Sequence, residues 1–83
     1  MDQIARTAKQ IGVIIRRERR KRGLTQDQLG AKIHLRQATI SKLEAGEPAT
    51  RLSTLLDVLP ALDLEIVIRP RTKVSSDDIE AIF

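Results

Sequence analysis

The residues best suited to chemistry lie on one face of a short helical pattern that begins at residue 37. Ile40 and Leu43, three residues apart, predict the buried side of this helix. The opposite side presents amide, hydroxyl and ammonium groups without an aromatic ring: Gln37, Ala38, Ser41 and Lys42. An amide can pair with adenine, an ammonium group with guanine, and a methyl group can meet the methyl group of thymine. This face is therefore predicted to contact base edges in a DNA major groove.

A preceding helix is predicted to support this face. Thr25 and Gln28 have the spacing of a capping box, in which each side chain bonds the backbone N–H group of the other residue. The helix should therefore begin at Gln26, and it should end near Ile33. Two small residues within it would let a second helix cross closely: Gly30 and Ala31.

A sharp turn is predicted at His34, because His is among the side chains that tolerate a positive φ angle. Leu35 should then enter the core. The second helix should start after Arg36 and run to Glu44, with Gly46 as the residue just beyond its end. Two short helices joined in this way have the spacing of a helix-turn-helix.

Several residues in this stretch carry a family resemblance: Leu24-Thr25-Gln26, Gly30, Thr39-Ile40-Ser41 and Glu44. They resemble the phage-repressor and Cro type of helix-turn-helix, the XRE family. Within it, residues 37–41 followed later by a short β segment are most similar to the HipB-type antitoxins. The resemblance implies an all-α, lambda-repressor-like domain of four to five helices with one C-terminal β-strand. It also implies an autoregulating repressor that acts as the antitoxin of a HipA-type serine/threonine kinase toxin.

The same resemblance implies an ion pair between Arg19 and Glu44 that joins the first helix to the second helix of the motif. Phosphate contacts are predicted separately, from positive charge and from the N–H groups at a helix N-terminus. The candidates are Gln26, Thr39, Arg16, Arg19 and Arg36. Such contacts fix the position of a protein on DNA but carry no sequence information.

Charge is distributed unevenly along the 83 residues. Residues 1–36 contain ten Lys or Arg and three acidic residues, whereas residues 37–83 contain five and eight, consistent with the net charge of +4. A basic first half favours a polyanionic partner such as nucleic acid. Alone, a charge run would more often be a solvated helix face. Its position beside a helix-turn-helix favours the nucleic-acid interpretation.

Two further helices are predicted to flank the motif. Thr7 and Gln10 form a second capping box, and the first helix should run to Arg22. Its apolar stripe is Ile11, Ile14 and Ile15. Thr50 is the predicted N-cap of the fourth helix, and Pro60 should kink or end it. The apolar stripe of the fourth helix is Leu52, Leu55, Leu56 and Leu59.

Residues 64–70 change to an alternating pattern that predicts one strand. A lone strand in a helical chain leaves backbone groups unpaired and invites association. A second copy would pair with it across a two-fold axis, forming an antiparallel intermolecular ribbon in a homodimer. The symmetry also predicts a double-stranded DNA operator that contains an inverted repeat. The dimerisation residues are Leu64, Ile66, Val67 and Ile68.

The chain is predicted to have an N-terminal arm at 1–6, a DNA-binding domain at 7–63, the strand at 64–70 and a flexible tail at 71–83. Ile79, Ile82 and Phe83 would share one helical turn of the tail and form a candidate surface for the kinase partner. The alternative is an unstructured end without a partner, because the tail has too few apolar groups to fold by itself.

Other classes of function find little support in the residues. His34 has no ligand-type residue at metal-site spacing, and Thr39 and Ser41 lack a neighbouring base. We therefore expect no metal, cofactor, catalytic residue or small-molecule substrate, and no enzyme activity. The sequence has no cysteine and no apolar run long enough to cross a membrane. A bacterial cytoplasmic protein is expected, associated with the nucleoid when it is bound to DNA.

Two alternative functions remain open. One is a phage-type or housekeeping regulator with the same DNA chemistry and no toxin partner. The other is a protein-interaction module built on the same scaffold. Steep salt dependence of binding is expected for phosphate contacts and not for an apolar interface.

Overall fold

The computed structural model describes residues 2–71 and contains four helices. They are α1 (Ala8–Lys21), α2 (Gln26–Ile33), α3 (Gln37–Glu44) and α4 (Leu52–Ala61). The predicted all-α helix-turn-helix fold is confirmed. The predicted tail residues Ile79, Ile82 and Phe83 lie outside the described residues.

Both predicted capping boxes lie at a helix start, but only the box at α2 is complete, because at α1 the Gln10 side chain accepts from the Arg6 N–H group and not from that of Thr7. The Thr7 hydroxyl group accepts from the Gln10 backbone N–H group at 3.1 Å, and α1 follows. At α2 both halves of the box are present: the Gln28 N–H group donates to the Thr25 hydroxyl, and the Thr25 N–H group donates to the Gln28 side chain. These bonds satisfy N–H groups that have no partner within the helix.

The turn between α2 and α3 forms at His34, with a φ angle of 58°, as predicted. The Leu35 N–H group donates to the Gly30 carbonyl group at 2.9 Å. Gly30 is needed for a different reason than predicted, because a Cβ atom there would overlap the Leu35 carbonyl group in the turn rather than a crossing helix. Ala31 is exposed and does not contribute to helix packing.

The core lies between all four helices and is purely aliphatic. Its buried side chains are Ile15, Leu29, Ile40, Leu43, Val58 and Leu62. Ile11 and Leu35 pack against this cluster from α1 and from the turn. The core therefore fixes the position of α3 from its inner side and leaves its outer side free.

The predictions for α4 were partly wrong. Arg51, not Thr50, holds the N-cap position, and the Thr50 hydroxyl group is buried without a hydrogen-bond partner in the described structure. Leu52 and Leu56 are exposed, whereas Thr54 and Val58 are buried. The helix is apolar on more than one side, so its sequence pattern does not identify the buried one.

The end of α4 follows the proline prediction. Pro60 lies in the last turn, and the helix ends one residue later at Ala61. Asp63 has a φ angle of 57°, and the Leu64 N–H group bonds the Leu59 carbonyl group at 2.8 Å. These bonds close the helix and direct the chain into residues 64–71.

Residues 64–71 have neither helix nor strand within the described part of the chain. The predicted ribbon requires a second chain as its pairing partner, so it stays a prediction. Ile66, Val67 and Ile68 are exposed here, Ile68 by 94%. The segment, α1 and the N-terminal arm border an apolar cleft of about 690 Å³.

Candidate nucleic-acid interface

The outer face of α3 carries the predicted base-contacting residues together. Gln37, Ala38 and Lys42 are exposed, and Ser41 is half-buried. Ile40 and Leu43 on the opposite side are buried in the core. The face is thus a polar surface on a helix held rigidly from behind, and an α-helix fits the major groove of B-DNA.

Arg19 and Glu44 form the ion pair that the family resemblance implied. The Arg19 Nε atom lies 2.6 Å from Glu44 Oε2, and Nη2 lies 2.8 Å from Oε1. The third nitrogen of the guanidinium group, Nη1, donates to the Leu24 carbonyl group at 2.7 Å. Both residues are buried. The pair therefore connects α1, the loop before α2, and the end of α3.

Both members of the pair are charged at neutral pH. Burial by itself would raise the pKa of Glu44, but hydrogen bonds from Arg19 and Gln26 and the charges of Arg19 and Arg16 hold this pKa below its ordinary value. The hydrogen bond with Glu44 raises the pKa of Arg19 above its ordinary value. A charged carboxylate group can only accept hydrogen bonds.

Two glutamines extend this pair to the surface of α3. The Gln26 Nε2 atom donates to Glu44 Oε1 at 3.2 Å, and the Gln37 Nε2 atom donates to Gln26 Oε1 at 2.7 Å. The sequence assigned Gln26 and Gln37 separate roles and did not predict their contact. The only signal available was that each residue opens one of the two helices.

The predicted phosphate-contacting residues occupy different environments. Arg16 and Arg36 are exposed, and Gln26 and Thr39 are half-buried at the first turns of α2 and α3. Arg19 requires a correction. Its guanidinium group is buried and bonded to Glu44 and Leu24, so it is positioned to hold the fold together and not to contact phosphate directly.

Arg20 is a residue that sequence reasoning did not single out. It is exposed and borders a shallow depression that also contains the first residues of α2. The lining includes Gln26 and Gln37. The basic run at the end of α1 was the available signal, but it did not show which arginine lies beside the motif.

In residues 2–71, no group of three or more His, Cys, Asp or Glu side chains lies close enough together to hold a metal ion. Within the same residues, no helix is both long and apolar enough to cross a membrane.

Comparison with known proteins agrees with this geometry. The sequence matches the family described as Helix-turn-helix (HTH_3) over residues 15–68. It is 34% identical over 62 residues to Antitoxin HipB of Escherichia coli (strain K12), across 75% of this chain and 70% of HipB. It is 40% identical over 57 residues to an uncharacterized HTH-type transcriptional regulator, y4dL, of Sinorhizobium fredii (strain NBRC 101917 / NGR234). That match covers 69% of this chain but only 29% of y4dL.

A solved structure shows the same likeness in three dimensions. HipB in a HipA-HipB-O2-O3 complex superposes with a TM-score of 0.79 at 30% sequence identity, covering 86% of this chain and 100% of that chain. The likeness therefore extends beyond the two helices of the motif to the whole described fold. The chain belongs to the helix-turn-helix family of the phage-repressor and Cro type, as a HipB-like DNA-binding regulator.

Proposed function

We propose that this protein is a repressor that binds its operator as a homodimer and reads bases with Gln37, Ala38, Ser41 and Lys42. The observation that carries the proposal is the outer face of α3, which is polar and exposed while the inner face is buried in the core. In this proposal Gln37 pairs with adenine, Lys42 with guanine, and Ala38 meets a thymine methyl group.

Phosphate contacts hold α3 in the groove. We assign them to Gln26, Thr39, Arg16 and Arg36, which are at least partly exposed on or beside the two helices of the motif. Backbone N–H groups at a helix N-terminus favour an anion, which supports Gln26 at the start of α2. The phosphate contacts themselves would anchor the protein without distinguishing sequences, whereas the Gln26 side chain also bonds Gln37 on the reading face.

The base-reading role is tested with the variant Gln37→Ala. Its operator is first selected from random duplexes with the wild-type protein, and binding is then measured to that operator and to an unrelated duplex. The variant should lose roughly 1–3 kcal/mol on the operator and little on unrelated DNA. Lys42→Ala and Lys32→Ala form a matched pair, since both lysines are exposed but only Lys42 lies on the proposed reading face. Equal loss on both duplexes would show that Gln37 contacts only the DNA backbone.

The proposal includes a dimer formed by residues 64–70. Ile66, Val67 and Ile68 expose 47%, 67% and 94% of their surface in one chain, a run of apolar side chains that a second copy would cover. Two motifs related by a two-fold axis would read an inverted repeat, because half-sites one helical turn apart lie about 34 Å from each other.

An antitoxin role is the further part of the proposal. Its support is the 34% identity to Antitoxin HipB and the similarity to HipB solved in a complex with HipA. In this role the protein binds a HipA-like serine/threonine kinase and represses the operon that encodes both. A kinase-like gene beside this one would support the role, and purified kinase should then be captured by this protein.

The two alternatives make different predictions. A phage-type or housekeeping regulator would bind the operator without capturing a kinase. A protein-interaction module would bind its partner through apolar contacts, with little change in affinity as salt increases. Binding through several phosphate contacts should weaken steeply between low and high salt.

A further inference from the structure

We propose that Glu44, a buried residue, determines which side of the Gln37 amide group faces DNA, and that it thereby favours adenine over guanine at the base that Gln37 reads. The proposal deepens the function above and rests on Gln37 reading a base. Glu44 acts through Gln26 and is a positioning residue.

The starting observation is an unbroken path of hydrogen bonds from the core to the reading face. Arg19 donates twice to Glu44, at 2.6 and 2.8 Å. Gln26 donates to Glu44 at 3.2 Å, and Gln37 donates to Gln26 at 2.7 Å. The path begins at a buried ion pair and ends at an exposed amide group on α3.

The chemistry of the end groups sets the direction of this path. A guanidinium group only donates hydrogen bonds, and an ionised carboxylate group only accepts them. Gln26 must therefore turn its NH₂ group towards Glu44, which leaves its carbonyl group for Gln37. Gln37 must in turn donate. Neither amide can reverse while Glu44 is ionised and bonded to Arg19.

This direction restricts what Gln37 can offer to a base. One N–H group of its amide is used by Gln26. The carbonyl oxygen and the other N–H group remain, which together form one acceptor and one donor. Adenine presents the complementary pair in the major groove, a donor at N6 and an acceptor at N7.

Guanine requires a different set of hydrogen-bonding groups from the glutamine amide. Its N7 and O6 atoms are both acceptors, so a glutamine would have to offer both of its N–H groups to pair with them. Gln37 cannot do this while it donates to Gln26. The hydrogen-bond path therefore disfavours guanine at this position, although Glu44 itself lies out of reach of DNA.

The test measures the ratio of affinities for two operators that differ only at the base read by Gln37, adenine in one and guanine in the other. That base is identified as the position whose preference disappears in Gln37→Ala. Wild type should prefer adenine by roughly 5- to 150-fold, the range expected for one good bidentate pair. A wild-type ratio near one would overturn the proposal.

Two variants break the path at different points. In Glu44→Gln an NH₂ group replaces one of the two oxygens that accept from Arg19, so residue 44 no longer fixes the direction of the Gln26 amide and, through it, of Gln37. In Gln26→Ala the path is interrupted while the pair of Arg19 and Glu44 stays intact. Both variants should bring the adenine-to-guanine ratio close to one, a loss of about fivefold or more and no larger than the wild-type preference. Gln26→Ala tests whether the path affects the adenine-to-guanine ratio even if Glu44→Gln fails to fold.

The control is Thr39→Ala, which removes a proposed phosphate contact on the same helix. It should weaken binding to both operators alike and leave their ratio unchanged. An unchanged ratio in Gln26→Ala and in folded Glu44→Gln would overturn the positioning role while leaving base reading by Gln37 intact. If Gln37→Ala changes the preference at no position, base reading itself fails and the positioning role fails with it.

Discussion

Gly12 in α1 lies against the backbone carbonyl group of Glu44 in α3, so closely that a Cβ atom on Gly12 would overlap the carbonyl oxygen. Arg19, two helical turns further along the same face of α1, bonds the side chain of the same Glu44. Helix α1 therefore fixes α3 at two points, one by close backbone packing and one by charge.

Gly12→Ala should destabilise the protein. The added methyl group would also lie 2.7 Å from the Leu43 carbonyl oxygen, and backbone atoms cannot move aside as a flexible side chain can. We expect a loss of about 1–3 kcal/mol in the free energy of unfolding, the usual cost of overpacking. Urea denaturation measures it. Arg20→Ala, an exposed change in the same helix, is the control and should stay within about 0.5 kcal/mol of wild type. Equal free energies of unfolding for the two variants would show that α1 and α3 can move apart to accommodate the methyl group without loss of stability.

Stability should fall at acidic pH because of Glu44. The folded protein holds the pKa of Glu44 below its ordinary value, so the unfolded chain binds the proton more readily. The stabilisation is complete above the ordinary glutamate pKa of about 4.3 and is lost as pH falls through it and through the lower folded pKa. Thermal unfolding between neutral pH and about pH 3 should show this loss in wild type.

Three variants assign the acid effect. Glu44→Gln should flatten the acid part of the profile, whereas Glu47→Gln removes an exposed carboxylate nearby and should not. Glu18→Gln is measured as well, because a hydrogen bond from Arg22 at 2.7 Å also lowers the pKa of Glu18. An acid profile that keeps its shape in Glu44→Gln would exclude Glu44 as the source.

The helix-turn-helix could be predicted because its signals are local. The capping box at Thr25 and Gln28 and the turn at His34 involve neighbouring residues, and each is present as expected. The ion pair of Arg19 and Glu44 came from family resemblance, since nothing in the spacing of two residues so far apart requires contact. Local patterns therefore predict where helices begin and end better than which distant side chains meet.

Two features escaped sequence reasoning for physical reasons. The buried side of α4 is ambiguous because leucines lie on both sides, and tertiary packing selected Thr54 and Val58 over Leu52 and Leu56. The bond between Gln26 and Gln37 depends on the crossing of α2 and α3. It follows from the assembled fold and not from the sequence near either residue.

Phosphate contacts should appear in the salt dependence of operator binding. Arg16→Ala and Arg36→Ala should each weaken binding to all DNA and make the negative slope of log K against log salt shallower by about 0.9. Arg51→Ala is the matched control, because Arg51 is exposed but lies outside the motif at the start of α4. A slope that is the same in all three variants would remove Arg16 and Arg36 from the interface.

The homodimer should depend on the backbone of residues 64–70. Val67→Pro removes an N–H donor from the proposed ribbon and fixes φ, so we expect monomers or a loosened dimer with much weaker operator binding. Val67→Ala keeps the donor and is the control. Sedimentation velocity measures the change. An unchanged dimer in Val67→Pro would place the interface elsewhere, and the exposed Leu52 and Leu56 make α4 the next candidate.

Deleting residues 75–83 should separate the antitoxin from a plain repressor. In the proposed antitoxin role, Ile79, Ile82 and Phe83 bind the kinase, and the acidic residues beside them favour a basic rim around the kinase pocket. Burial of Phe83 could contribute roughly 1.5–3 kcal/mol before the cost of ordering the tail is subtracted. The deletion should therefore weaken capture of a HipA-like kinase while dimerisation and operator binding stay almost unchanged.

Phe83→Ala should account for much of the loss, and Phe83→Leu, which keeps an apolar side chain, for less. Equal capture by the truncated and full-length proteins would show that the folded body alone holds the kinase.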